Sequence, residues 1–255
     1  MPGRYGRLPG DHGADLIHLF DDLEALSRGA AEFFIDKARD AVTARGRFSV
    51  ALSGGNTPRR TYEMLAQPAF RDRVDWARAH IFWGDERCVD PDDPRSNARM
   101  AQEALLRQVP VPAGQVHPMD CRPSPREAAR RYEALLQSFF AGGEPRFDLI
   151  LLGLGENGHT ASLFPGAPVL TEAEGWVAEV YLAEPDLHRL TLTAPCINRA
   201  ATVAFLVAGA AKAAVVREVI EGPRDPSRLP AQLIHPEPGE LHWLLDKGAA
   251  GALNR

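Results

Sequence analysis

The segment 147–152, FDLILL, constrains the fold more than any other part of the chain. Five of its six residues are apolar, so no polar face alternates with an apolar one. A run of this kind suits a central strand covered on both sides, as a parallel sheet provides. It empties into a loop, 153–158, that holds three glycines.

The surrounding pattern supplies the covering layers. Leu23, Leu26, Ala30, Phe33, Phe34, Ala41 and Val42 share one helical face, which predicts a helix over 22–44 stopped near Gly46. A strand at 48–52 follows, and Thr57-Pro58 reads as a helix start, cap then first-turn proline, with Tyr62 and Leu65 facing inward. The order repeats as strand 80–83, loop 84–96 and helix 97–107, broken by Pro110 and Pro112. A helix at 125–140, strands at 175–182, 188–193 and 202–208, a helix at 210–220 closed by Gly222, and a last strand at 241–245 complete the reading. Strands alternating with helices predict an α/β fold built on a mainly parallel sheet. We read 1–15 as a flexible N-terminal leader and 16–255 as one domain, with 109–125 and 141–146 as surface connections.

Ligands of such sheets gather beyond the carboxyl ends of the strands. The loops to inspect are therefore 53–57, 84–97, 153–162 and 209–212. Ser53, Gly54, Gly55, Asn56 and Thr57 lie between a strand and a helix start, where backbone N–H groups and the helix dipole favour an anion. The same residues also serve as a tight turn, with Thr57 merely capping. Asp85 and Arg87 follow the second strand. A guanidinium there offers a fork for phosphate oxygens, and the carboxylate a partner for a hydroxyl or a histidine, although charged triplets are commonly just solvated. His159 is delivered by the glycine-rich loop, and the seven other histidines lack such a setting. An imidazole with an ordinary pKa near about 6.5 suits proton exchange with water; the alternative is a structural ring bonded to loop backbone. Lys212, one of three lysines, falls in the first turn of the 210–220 helix, where a bound phosphate would offset its conflict with the dipole.

Composition removes other classes. A net charge of −5 speaks against nucleic acid as partner. No apolar run approaches the roughly 18 residues of a membrane span, and the N-terminus is not a signal peptide. Three widely spaced cysteines without CxxC suggest neither a disulfide framework nor a zinc site, and point to a reducing cytoplasm. No GxSxG, HExxH or calcium-loop spacing occurs, so no metal is expected.

The motifs SGGNTP at 53–58, WGDERCV at 83–89 followed by Ser96-Asn97, and GLGENGHTASLFPG at 153–166, with RLTLTAPCIN at 189–198, FLVAGAAKA at 205–213 and LHWLLD at 241–246, resemble the 6-phosphogluconolactonase family from about residue 15 onward. The resemblance implies a Rossmann-like sheet flanked by helices, of the type found in aminosugar-phosphate and ribose-phosphate isomerases. It also implies hydrolysis of 6-phosphogluconolactone in the oxidative pentose phosphate pathway without a cofactor. On this reading His159 is the catalytic histidine and Asp85 an active-site acid. Ser53 to Thr57 form the phosphate-side loop, and Arg87 and Lys212 face the phosphate. Gly155, Asn157 and Gly158 are expected to contact substrate, and backbone N–H groups of 153–158 to steady the oxyanion. Aminosugar-phosphate isomerases carry an aspartate where this chain has Asn157, which weakens the alternative of an isomerase or deaminase. A second alternative, a non-catalytic sugar-phosphate sensor, would call for a DNA-reading helix pair that residues 1–20 are too short to supply. A monomer or small homo-oligomer is expected.

Overall fold

The computed structural model describes residues 15–141 and 143–254, together with the backbone of Tyr5–Arg7. The leader expected at 1–15 falls, apart from that backbone and Asp15, outside the described residues. In chain order the elements are β1 (Tyr5–Arg7), β2 (Leu16–Phe20), α1 (Leu23–Arg45), β3 (Phe48–Leu52), α2 (Asn56–Leu65), α3 (Pro68–Arg71), β4 (Ala79–Trp83), β5 (Asp85–Arg87) and α4 (Asn97–Ala104). Then come α5 (Pro125–Phe139), β6 (Leu149–Leu152), β7 (Val177–Leu182), β8 (Leu187–Leu192), α6 (Ala194–Ile197), β9 (Thr202–Val207), α7 (Ala213–Glu221) and β10 (Glu240–Asp246).

Seven strands form the main sheet in the order β1-β2-β10-β9-β6-β3-β4. All neighbours are parallel except β1 and β2. Every residue of β3, β6 and β9 is buried, as the unbroken apolar run of the central strand requires. The chain steps from β3 outward to β4, then returns to the far side of β3 and proceeds β6, β9, β10 in the opposite direction. The order thus reverses between β3 and β6, which opens a crevice beyond their carboxyl ends.

Helix α1 holds its ends by local chemistry. Asp22 accepts from the N–H of Ala25, and Gly46 closes the helix at φ 70°, a conformation that costs glycine little. Its inner face carries Leu26, Ala30, Phe34 and Ala38, and Phe34 meets Phe48 of β3 edge to face at 5.2 Å. Side chains this size contribute roughly 1.5–3 kcal/mol each on burial. Phe205 and Trp243, register partners on β9 and β10, stack at 4.1 Å.

Several expectations are corrected. Residues 16–20 form β2, which the sequence reading left unassigned. Residues 85–87, read as loop, form β5, which pairs antiparallel with β8, itself paired with β7, in a separate three-stranded sheet. The strands read at 175–182 and 188–193 therefore leave the main sheet, because β8 follows β7 through a short hairpin and finds its other partner in β5. Thr57 does not cap α2: the helix starts at Asn56 with Gly55 at the cap and no side-chain cap bond. Lys212 ends a 3₁₀ turn, Ala210–Lys212, and precedes α7 rather than lying in its first turn. Finally, Cys88 and Cys121 form a disulfide. Their separation of 33 residues gave no local signal; the fold brings the end of β5 beside the connection before α5.

Candidate active site

The crevice is a cleft of about 330 Å³, at the small end of the range for ligand pockets. Its walls come from the carboxyl ends of β3, β4, β6 and β9 and from the small sheet. Ser53, Gly54, Gly55, Asn56, Thr57, Asp85, Arg87, Gly155, His159 and Lys212 all line it.

The loop after β3 is held rigidly. The hydroxyl of Tyr62, on α2 and fully buried, accepts from the N–H of Ser53 at 3.0 Å and donates to its carbonyl at 2.9 Å. Gly54 has no room for a side chain, since a Cβ would lie 1.9 Å from Asn97 Oδ1. Gly55 sits at φ 104°, where other residues are strained. The first-turn N–H groups of α2 are left without a side-chain cap, directed at the cleft, as an anion site needs.

The loop after β4 is built around a buried carboxylate. Glu86 accepts from the N–H groups of Arg87, Asn97 and Ala98, each at 2.7 Å, and from Ser96 Oγ at 3.0 Å. It thereby secures the start of α4. Burial pushes its pKa up from the usual carboxylate value. Because side chains alternate along a strand, Asp85 and Arg87 point to the opposite side from Glu86. Asp85 accepts from Ser162 Oγ at 2.7 Å and from Asn97 Nδ2 at 3.2 Å, and lies 3.7 Å from Arg189.

Arg189 is the residue that sequence reasoning missed. It lies on β8 in register with Arg87, and its side chain is only 14% exposed. Like charges directly opposite one another are destabilising, and the Nε atoms of both arginines are buried without a hydrogen-bond partner. Lys212 approaches from the end of β9, and its ion pair with Glu156 spans 4.0 Å. The one available signal was an arginine within the apolar strand LHRLTL. Locating it at the cleft required the pairing of β5 with β8.

His159 sits between these groups. Its ring lies over Gly155, where a Cβ would come 1.9 Å from Nδ1, and stacks on Phe164 at 4.4 Å. Nδ1 lies 2.6 Å from Asn157 Oδ1. Burial pulls its pKa down to about 4; Asp85 opposes the shift, whereas Arg189, Lys212 and Arg87 reinforce it. The imidazole is therefore neutral at ordinary pH and able to accept a proton.

Two of the expected contacts are not part of the cleft. Asn157 and Gly158 are absent from its lining: Asn157 stands beside the His159 ring, and Gly158, at φ 77°, packs against Leu229 while its carbonyl accepts from Ala231 N–H at 2.9 Å. The expected use of loop N–H groups for an oxyanion is also curtailed, since Gly155 and Gly158 donate to His159 and Gly155 carbonyls at 2.8 and 3.0 Å. Among the described residues no cluster of three or more His, Cys, Asp or Glu is placed to hold a metal, and no helix is long and apolar enough to cross a membrane.

The family of glucosamine-6-phosphate isomerases and 6-phosphogluconolactonase matches residues 21–243. A 6-phosphogluconolactonase from Synechocystis sp. is 48% identical over 214 residues, covering 82% of this chain and 86% of that protein. The solved 6-phosphogluconolactonase of Trypanosoma cruzi superposes with a TM-score of 0.83 at 27% identity, covering 98% of this chain and 99% of the other. A monomeric glucosamine-6-phosphate deaminase shares the fold at a TM-score of 0.80 and 22% identity, over 92% of this chain and 99% of its own. With most of its length matched and nearly half of the aligned residues identical in one relative, the chain belongs to the glucosamine-6-phosphate isomerase/6-phosphogluconolactonase family.

Proposed function

We infer that the protein hydrolyses 6-phospho-D-glucono-1,5-lactone to 6-phosphogluconate, a step of the oxidative pentose phosphate pathway, with His159 as the base that activates water. The observation that carries this reading is the facing pair Arg87 and Arg189, each with a buried, unpartnered Nε, set beside a neutral imidazole. Such a pair calls for a dianion, and the phosphate of the lactone supplies one. The uncapped start of α2 and Lys212 complete the anion pocket.

Anchoring the phosphate places the lactone carbonyl near His159 and turns the encounter into an oriented one. Nε2 takes a proton from water as the water oxygen bonds to the carbonyl carbon. The resulting tetrahedral oxyanion collapses, the bond from carbon to ring oxygen breaks, and the imidazolium returns the proton to that oxygen. Asp85, held by Ser162, Asn97 and Arg189, keeps a negative charge near the imidazolium as it forms. Lactone hydrolysis needs no second base, consistent with an amide at Asn157. A cytoplasmic setting and a monomer or small homo-oligomer complete the proposal, although the Cys88–Cys121 bridge removes the argument for that setting from the cysteine count.

The test is acid release from freshly generated lactone, with glucosamine 6-phosphate as the comparison substrate. Turnover of the lactone alone is expected. Substitution His159→Asn should lower kcat roughly 10²–10⁴-fold, the usual contribution of a positioned base. Near-normal rates in that variant would remove His159 from the mechanism.

A further inference from the structure

We propose that Asn157 is a positioning residue that holds His159 as its Nδ1–H tautomer and so leaves Nε2 as the base. Which amide atom faces the ring is settled by a backbone donor. The Asn157 atom 2.6 Å from Nδ1 also lies 3.2 Å from the His159 peptide nitrogen. A peptide N–H must meet an acceptor, so that atom is the carbonyl oxygen and the NH₂ points elsewhere. An oxygen at that distance requires the ring hydrogen on Nδ1, which leaves the lone pair on Nε2.

The other sides of the ring are also occupied. Gly155 lies against the Nδ1 and Cε1 edge, and Phe164 covers a face. Among the described residues Nε2 forms no hydrogen bond. The ring is thereby fixed in orientation and protonation while one nitrogen stays available to water.

An amide performs half of the work of a carboxylate. It orients the ring, but it adds no charge to stabilise the imidazolium. The charged groups facing His159 are Asp85 and Arg87 on β5, Arg189 on β8 and Lys212 before α7, with Glu156 in its own loop beside Lys212. Burial keeps the ring neutral in the free enzyme, and the three cations act in the same direction, against the one close buried carboxylate. An aspartate at 157 would tip that balance toward the protonated form.

The inference rests on the lactone-hydrolase reading, and its test separates the two. In unliganded protein labelled with ¹⁵N-histidine, His159 should appear as a single Nδ1–H tautomer at neutral pH, and Asn157→Ala should give a mixture. In the Ala variant kcat should fall about 10-fold or more with KM unchanged. The Asn157→Asp variant, which keeps the acceptor, should retain the tautomer and restore turnover. It should also move the acid limb of kcat/KM upward by about one unit or more, as a new adjacent charge does. A wild-type tautomer and kcat in Asn157→Ala, or an acid limb unmoved in Asn157→Asp, would overturn the proposal. Absence of lactone turnover by the wild-type enzyme, with the tautomer as expected, would overturn the functional reading alone.

Discussion

Arg189 faces Arg87 across two strands with its Nε buried and unsatisfied, an arrangement that is stable only when a negative charge lies between them. Asp85 offsets part of the repulsion at 3.7 Å, but its oxygens are also committed to Ser162 and Asn97. A phosphate supplies the remainder through charge-assisted hydrogen bonds, each contributing about 1.5–3 kcal/mol. Replacing Arg189 by Gln should therefore raise KM for the lactone roughly 10- to 100-fold, with a smaller change in kcat. Initial-rate measurements across substrate concentration give the answer, and an unaltered KM would place the phosphate elsewhere. His159 and Arg87 were recognisable from local sequence because each lies a few residues beyond a buried strand, in a segment opened by a glycine. Arg189 was not, because a basic residue in a short apolar strand has no local context that distinguishes a ligand from a solvated edge.

Strand β5 is three residues long, too short to be secure by its ladder bonds alone. Glu86 ties it to the start of α4 by three hydrogen bonds, and the Cys88–Cys121 disulfide ties its far end to the connection before α5. Closing a loop of 33 residues restricts the unfolded chain and stabilises the fold by about 3–4 kcal/mol in the chain-entropy account. The variant Cys88→Ser should lose that amount in urea unfolding under oxidising conditions, and wild type should lose a similar amount on reduction. Equal stability with and without the bridge would mean that Glu86 alone secures the loop. Helix boundaries were largely legible here, since Asp22, Ser96 and Ser124 accept from first-turn N–H groups as such residues do. Thr57 misled because Gly55 takes the cap position instead, leaving the α2 N–H groups uncapped at the cleft.

Acid should loosen the molecule as a whole. His159 and His242 are each pulled down to about 4, chiefly by burial, and His18, His80 and His117 are lowered in the same direction for the same leading cause. In the unfolded chain each titrates near 6.5, so between 6.5 and 4 the unfolded state binds more protons than the folded one. Stability is then complete above pH 6.5 and declines as pH falls toward 4, by on the order of 3 kcal/mol for each of the two most shifted rings. Urea titrations at pH 7 and pH 4.5 should show the decline, and His242→Gln should reduce it. A flat profile would mean that these rings are hydrated in solution.

What the amino-acid order determined by itself was local: the apolar run of 147–152, the helix faces and the glycine-rich loops behind the first and third long strands. Those features depend on periodicity and on conformations open to few residues, so they can be read within a window of a few positions. Only the tertiary structure decided that β5 and β8 pair, that Arg189 thereby joins Arg87, that Cys88 meets Cys121, and that Asn157 turns to the imidazole instead of to the cleft. Each of these depends on contacts between distant segments or on the direction of one side chain, and strand register and loop packing set both.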